Sequence, residues 1–413
     1  MLKKWFLYLI LLFFIKYLCF GQDKSNFGIK VKGYFIGDKP GIRDCYLSGW
    51  EKGLPIVLSM EGKRILNSRV VWIAPEKVSL IKRQDVELVI EGVGRIYGEI
   101  LGGDEDGEYI FFRNRFLGDL NVPINILKSV ILKENTKNWR SEELLDMVQR
   151  DKEIILIPAK LGFDTITGFL YRFSKDYVFF APEGEEEPSK FLIKNLGAII
   201  RSVNLENKQK EEHKSLLFLL DGSKLRCKIL DFKNGTINAL LPWKKKINIK
   251  FSYIINIDFE DDNYIFLSKM NPVEAKEISW FGEMEPTLYT WKKDESCIGG
   301  PLKSGGMVWS RGIGCHAKSI LKFNINKSWN KFMAYAAIDD SAKELPLSGN
   351  VDVRVEIDGK VVWQKNNIKA GDPPLVVGPI DIASCKTLTL VVDFGKNLHI
   401  GDRFNWLLPV LYR

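Results

Sequence analysis

Apolar positions along this chain come in short runs of Val, Ile, Leu, Phe and Tyr, with polar residues between them and Gly or Asp closing each run. Alternation with a period of two puts one set of side chains on a buried face, and acidic-Gly pairs such as Asp221-Gly222 and Asp358-Gly359 turn the chain between strands. The pattern predicts an all-β protein. One segment departs from it. Across Ser141 to Arg150, Leu144, Leu145 and Val148 form an apolar stripe, Glu142 and Glu143 occupy the first turn and Arg150 the last, so a helix capped by Ser141 is expected within a linker at 136–151.

The strand pattern also repeats. Glu108-Tyr109-Ile110-Phe111-Phe112 returns as Asp176-Tyr177-Val178-Phe179-Phe180, a shift of 68 residues, and Ile124-Asn125-Ile126-Leu127 returns as Ile193-Lys194-Asn195-Leu196, a shift of 69. A third copy spans Ser215 to Phe259, with Asp221-Gly222-Ser223 as its turn and Ile247-Asn248-Ile249-Lys250 in place of the closing strand; Glu61-Gly62-Lys63 marks a partial fourth copy. Units of this size with about five short strands suit small barrels, which hide their own edges. The expected order is β repeats at 22–135, 152–205 and 214–266, followed by a C-terminal module at 272–413 beyond the junction Leu267 to Pro272.

Composition narrows the class. A chain of 413 residues exceeds one ordinary core, and 46% hydrophobic with 27% charged residues excludes disorder as the main state. At the N-terminus, Lys3 and Lys4 precede an apolar run from Trp5 to Ile15, and Cys19-Phe20-Gly21 follows, the plan of a secretory signal over residues 1–21. The run is too short to span a bilayer, so no membrane insertion is expected after cleavage, and the protein is expected to be exported, whether periplasmic, on the cell surface or secreted. Without that segment the net charge falls from +8 to +5 and is scattered, Lys244-Lys245-Lys246 reading as a solvated hairpin tip; nucleic acid is not an expected partner. Cys45, Cys227, Cys297, Cys315 and Cys385 form no C-x-x-C pair, which disfavours zinc, and their spacing fixes no disulfide pairing.

The last hundred residues carry the densest motif information. Gly312-Ile313-Gly314-Cys315-His316-Ala317, Ala337-Ile338-Asp339-Asp340, Gly349-Asn350-Val351, Asp358 to Trp363, Leu388 to Asp393, and Gly401-Asp402 ahead of Trp406 follow in order, after Gly299-Gly300-Pro301-Leu302 and Trp309-Ser310-Arg311-Gly312. Over about residues 278–413 this order resembles the NPCBM/NEW2 module, known from secreted proteins of planctomycete type and from glycoside hydrolases. The resemblance implies a C-terminal jelly-roll β-sandwich that binds carbohydrate, preceded here by the small barrel-like β repeats. Arg403 and Leu407-Leu408-Pro409 depart from the family pattern, which has a His after its Asp and an Asp-Ala-Arg run after its Trp.

Candidate ligand contacts are His316 after its Gly-x-Gly turn, Asp340, Asp402 and Asn405 as hydrogen-bonding groups for sugar hydroxyls, and Trp406 as a stacking platform. Each has a structural counterpart: a loop-locking His, Asx-capped turns and a core Trp. Asp339 and Asp340 at a strand end are the candidate ligands for a structural Ca²⁺, the one cofactor expected. Only His213, His316 and His399 are histidines, and neither an H-E-x-x-H, a G-x-S-x-G nor a phosphate-binding Gly-rich loop is present. The reading is therefore an exported, non-catalytic carbohydrate-binding protein whose partner is a glycan or polysaccharide and whose repeats act as spacer or adaptor. The alternatives are a cell-envelope assembly protein using the sandwich for contacts with envelope proteins and, more weakly, a glycoside hydrolase.

Overall fold

The computed structural model describes residues 27–66, 68–137, 139–147, 152–202, 215–282, 289–325, 328–396 and 398–413. The expected signal segment, the polar run 206–214 with His213, and the end of the expected helix lie outside the described residues. The rest is almost entirely antiparallel β-structure. Its one α-helix, Ser141–Asp146, is capped differently from expectation: Arg140 holds the N-cap position, its N–H donating to Glu143 at 2.9 Å, while the Ser141 hydroxyl donates to the buried Glu87 carboxylate at 2.7 Å.

Four β units precede the C-terminal module. Their strands are Ile29–Gly37, Gly41–Glu51, Leu54–Leu58 and Ser68–Pro75; then Val86–Ile90, Gly94–Gly103, Tyr109–Asn114, Gly118–Pro123 and Leu127–Leu132; then Glu153–Pro158, Phe163–Phe173, Tyr177–Pro182, Ser189–Leu192 and Ala198–Ile200; then Ser215–Leu219, Lys224–Lys233, Thr236–Leu240, Lys246–Lys250 and Ile254–Phe259. In the three five-stranded units the first strand pairs with the second and the fifth, and a 3-10 turn (Ile124–Ile126, Ile193–Asn195, Phe251–Tyr253) leads into the fifth. The repeated Ile-x-x-Leu therefore marks this turn. In the fourth unit Ile247 to Lys250 belongs to the fourth strand, and Ile254–Phe259 closes the sheet.

One irregularity recurs in all four units. The ladder between second and third strands slips at Leu47/Gly49, Ile100/Gly102, Leu170/Arg172 and Ile229/Asp231, leaving one extra residue each time. Such bulges bend a strand, so the long second strand serves one sheet with its first half and another with its second. Among the described residues no ladder joins the fourth strand to the fifth in the five-stranded units, or the third to the fourth in the first unit, and each unit is a strongly bent open sheet rather than a closed barrel.

Short ladders fuse the units: Ala198–Ile200 on Ser129–Ile131, Lys224–Leu225 on Gly94–Arg95, and Ile257–Asp258 on Trp72–Ile73. Their cores merge into one cluster running from Val31 through Phe112 and Phe180 to Ile257. At one seam the Asp221-Gly222-Ser223 turn is buried, because Asn114 donates to Asp221 at 2.7 Å and the Tyr97 N–H to Ser223 at 3.0 Å.

The C-terminal module is a two-sheet sandwich. One sheet runs Lys292–Lys293, Gly312–His316, Arg403–Tyr412, Lys331–Ile338, Leu375–Asp381, with Tyr264–Phe266 added on Arg403–Tyr412; the other runs Glu274–Glu277, Ser319–Asn324, Thr387–Phe394, Asn350–Ile357, Lys360–Lys369. Strand Asn350–Ile357 shows the period of two plainly, with Val351, Val353, Val355 and Ile357 buried and Asp352, Arg354 and Glu356 facing outward. Strand Arg403–Tyr412 does not, since it is buried on both faces. Phe404, Trp406 and Leu411 fill the sandwich, whereas Leu407, Leu408, Val410 and Tyr412 meet Tyr34, Ile36, Val71 and Trp72 of the first unit.

That junction is sealed by polar bonds. Trp72 stacks on Trp309 with centroids 6.0 Å apart and donates its indole N–H to Ser310 at 3.2 Å. Ser310 and Arg311 both donate to the buried Asp258, at 2.9 and 2.6 Å, and Arg311 bridges to Asp294 at 2.7 Å. Burial pushes the Asp258 carboxyl up; at Asp294 the charges of Arg311 and Lys224 outweigh burial and hold the carboxyl below its ordinary value. The Trp-Ser-Arg-Gly motif is thus the docking strip of module on repeats.

Candidate functional site

Most motif residues turn out to build the sandwich. Gly314 belongs to the Gly-x-Gly before His316, and a Cβ there would lie 2.2 Å from the Glu295 carbonyl oxygen, so the glycine lets a neighbouring segment pack. Gly349 is pressed against Gly401 in the same way, and the Asn350 N–H donates to Asp402 at 2.9 Å. These two motif pieces form one clamp between loops.

Of the candidate ligand contacts, Trp406, Asn405 and Asp402 are each fully buried and offer nothing to a ligand. Trp406 sits edge-on to Phe404 in the core, because a large apolar ring on the inner face of a central strand gains most by leaving water. Asn405 donates to Asp339 at 2.7 Å and to Ser304 at 3.1 Å. Asp402 bonds Asn350 through one oxygen and has no partner on the other among the described residues, and burial pushes its carboxyl up to about 7.

The calcium residues are equally engaged. Asp339 caps the 3-10 turn Asp340–Glu344 by accepting the Ser341 N–H at 3.0 Å and also accepts from Lys303 and Asn405. Asp340 accepts the Gly306 N–H at 2.9 Å and pairs with Lys343 at 2.7 Å. Calcium takes six to eight oxygens. Carboxylates already bonded to amides, with an ammonium beside them, do not fit it, and no group of three potential ligands occurs among the described residues.

His316 is different, being half-buried at the end of Gly312–His316 opposite Arg403. Its Nδ1 lies 2.9 Å from the Ala317 carbonyl oxygen, which can only accept, so that nitrogen carries the proton and Nε2 keeps its lone pair. Burial lowers its pKa below the ordinary value, and the nearby His399 and Arg403 push the same way against the Ala317 bond. The ring stands 5.2 Å from Tyr289 and 6.4 Å from His399.

His399 extends the cluster. It stacks against Trp280 at 6.3 Å, meets Phe281 edge-on at 5.8 Å, and has a buried Nδ1 without a partner among the described residues. Trp280 is braced by Phe394 at 4.9 Å yet remains 41% exposed, and Phe281 is 72% exposed. Singly exposed rings are common, but adjacent ones that form a contiguous patch mark an interaction site. Trp280, Phe281, Tyr289, His316 and His399 thus gather at one end of the sandwich, with Arg403 beside them. Of these the sequence singled out only His316 as a contact. Trp280, Phe281 and Tyr289 come from the segment before the motif run, where no strand periodicity marks them; the adjacent Trp280-Phe281 was the available signal.

With this geometry in hand, comparison with known proteins places the module. A model of the NPCBM/NEW2 domain family matches residues 266–412. Among solved structures, the CBM51 of a GH95 from Clostridium perfringens in complex with methyl-galactose is 21% identical, covering 36% of this chain and 99% of that one at a TM-score of 0.31. The CBM51-2 and INT domains of ZmpB from the same organism, in complex with GlcNAc, are 18% identical, covering 55% of this chain and 44% of that one at a TM-score of 0.32. The chain thus spans less than half of the ZmpB structure it matches. No curated protein matches it. Residues 266–412 of this all-β chain form an NPCBM/NEW2 domain.

Proposed function

We propose that this protein binds a glycan without turning it over, at the end of the sandwich where Trp280, Tyr289, His316 and His399 meet. The single observation that carries the reading is the half-exposed Trp280, braced by Phe394 and His399 beside the neutral imidazole of His316. A pyranose ring presents an apolar face and a rim of hydroxyls. Trp280 supplies a surface for the first, and the Nε2 of His316 an acceptor for the second. Membership of residues 266–412 in a carbohydrate-binding module family supports the same reading. On this reading the protein is exported and the four β units carry the module as a spacer.

The test is a glycan array followed by titration of the best binder. Trp280→Ala is expected to weaken binding about tenfold, or roughly 1.4 kcal/mol, and His316→Ala comparably, with melting curves that show the fold retained. Because burial keeps His316 neutral, affinity is expected to stay flat above pH 7 and to fall below the ordinary histidine range. A protein that binds no glycan on the array but self-associates or holds a fixed envelope partner would belong to the assembly class instead. Release of dye from chromogenic glycosides would mark it as a hydrolase.

A further inference from the structure

A recess lies at the seam of the second and third β units. It encloses about 530 Å³ and is walled by the linker around Lys82–Val86, by Gly98–Ile100 and Arg115 of the second unit, and by Lys175, Asp176 and Leu192–Lys194 of the third. The walls are tied together. The Lys133 N–H donates to Asp85 at 2.7 Å, the Ile193 N–H to Asp176 at 2.9 Å, and Asn135 donates to the Lys194 carbonyl at 2.8 Å.

Five cations line this cleft, Lys82, Arg83, Arg115, Lys175 and Lys194, and all are exposed. None of them is in an ion pair among the described residues, although most other arginines of the repeats are paired: Arg64, Arg69, Arg95, Arg113, Arg201 and Arg226 each hold a carboxylate. Arg83 is aimed by its contact with the Tyr97 ring, 5.1 Å away. Three carboxylates, Asp85, Glu99 and Asp176, stand among the cations. Among the described residues no aromatic side chain lines the walls.

We propose that this cleft binds a polyuronate, a sugar polymer whose carboxylates are separated by neutral hydroxyls. Unpaired cations attract carboxylates, and the arginines can grip them in a fork. The three acids accept sugar hydroxyls and repel a polymer with charge on every link. Single-stranded nucleic acid would need stacking rings that the walls lack, and a duplex a longer basic stripe. The volume lies within the usual range for ligand sites, roughly 300–1,000 Å³. This site does not rest on the reading of the sandwich.

The experiment runs the full chain through native gels containing polygalacturonate, with duplex DNA of equal charge concentration as the rival ligand. Wild type is expected to be retarded by polygalacturonate, less so as salt shortens the reach of the charges. The charge-reversal triple Lys82→Glu, Arg115→Glu, Lys175→Glu should lose roughly tenfold or more in affinity, and the neutralising triple with Gln at the same positions should lose less while leaving melting unchanged. The charge-reversal triple should still bind the neutral glycan best retained on the array as wild type does, which separates this site from the sandwich. An unretarded wild type, triples retarded as strongly as wild type, or stronger retention by DNA would each overturn the proposal.

Discussion

At Asp402 a carboxyl has been closed off from water with only one of its oxygens satisfied. Its folded pKa of about 7 stands above the ordinary carboxylate value, so the folded state prefers the protonated form. The stability this contributes is complete below pH 4 and is lost as pH rises toward 7. Asp402→Asn keeps an acceptor for Asn350 and removes the ionisation. Denaturant melts between pH 4 and 8 should therefore show the wild type losing on the order of 3 kcal/mol relative to the variant, most of it by pH 7, and parallel curves would contradict the burial of charge. The sequence offers Asp402 as a sugar contact because a carboxylate can accept hydrogen bonds from hydroxyls. What it hid was the packing of Gly349 on Gly401, which draws the whole motif inside.

At the scale of elements, the repeats were legible because strand alternation and acidic-Gly turns are local signals: the shift of 68 residues links the third strands of the second and third units, and the shift of 69 links their 3-10 turns. The fourth unit is harder to align, because its alternating Ile-x-Ile at Ile247 to Ile249 fits a fourth strand as well as a fifth. The recurring bulge was not legible, since a register slip leaves no compositional trace. Two equivalent glycines expose its surroundings: a Cβ at Gly98 would lie 2.1 Å from the Arg113 carbonyl oxygen and one at Gly168 lies 2.0 Å from that of Ala181, each also meeting a core Phe. Gly168→Ala should destabilise the protein by about 1–3 kcal/mol, seen as a lowered denaturation midpoint with unchanged slope. A neutral outcome would mean that the third unit's sheets can separate freely.

The whole molecule is joined more tightly than a row of domains on linkers. The continuous apolar run Trp406 to Tyr412 was the available sign, because a strand that faces water on one side alternates and this one does not. Excising residues 264–413 would uncover Trp309, Met333, Tyr335, Leu407, Leu408 and Val410 together. Such a fragment is expected to aggregate or to bind hydrophobic dyes at concentrations where the full chain stays monodisperse, and light scattering decides it. A clean, monomeric fragment would show that the first unit merely touches the module.

The strand Arg403–Tyr412 lies between Gly312–His316 and Lys331–Ile338, with Tyr264–Phe266 also laid against it, yet it is synthesised after all of them. On a ribosome the other strands of the sandwich emerge with an empty lane between them, and the first unit emerges with its Trp72 face uncovered. The repeats can fold as they appear, but the module and its seal against the first unit must wait for one late segment. For the time between, this chain carries two matching sticky faces of its own, and a stop codon within Arg403–Tyr412 would be as damaging as one much further upstream.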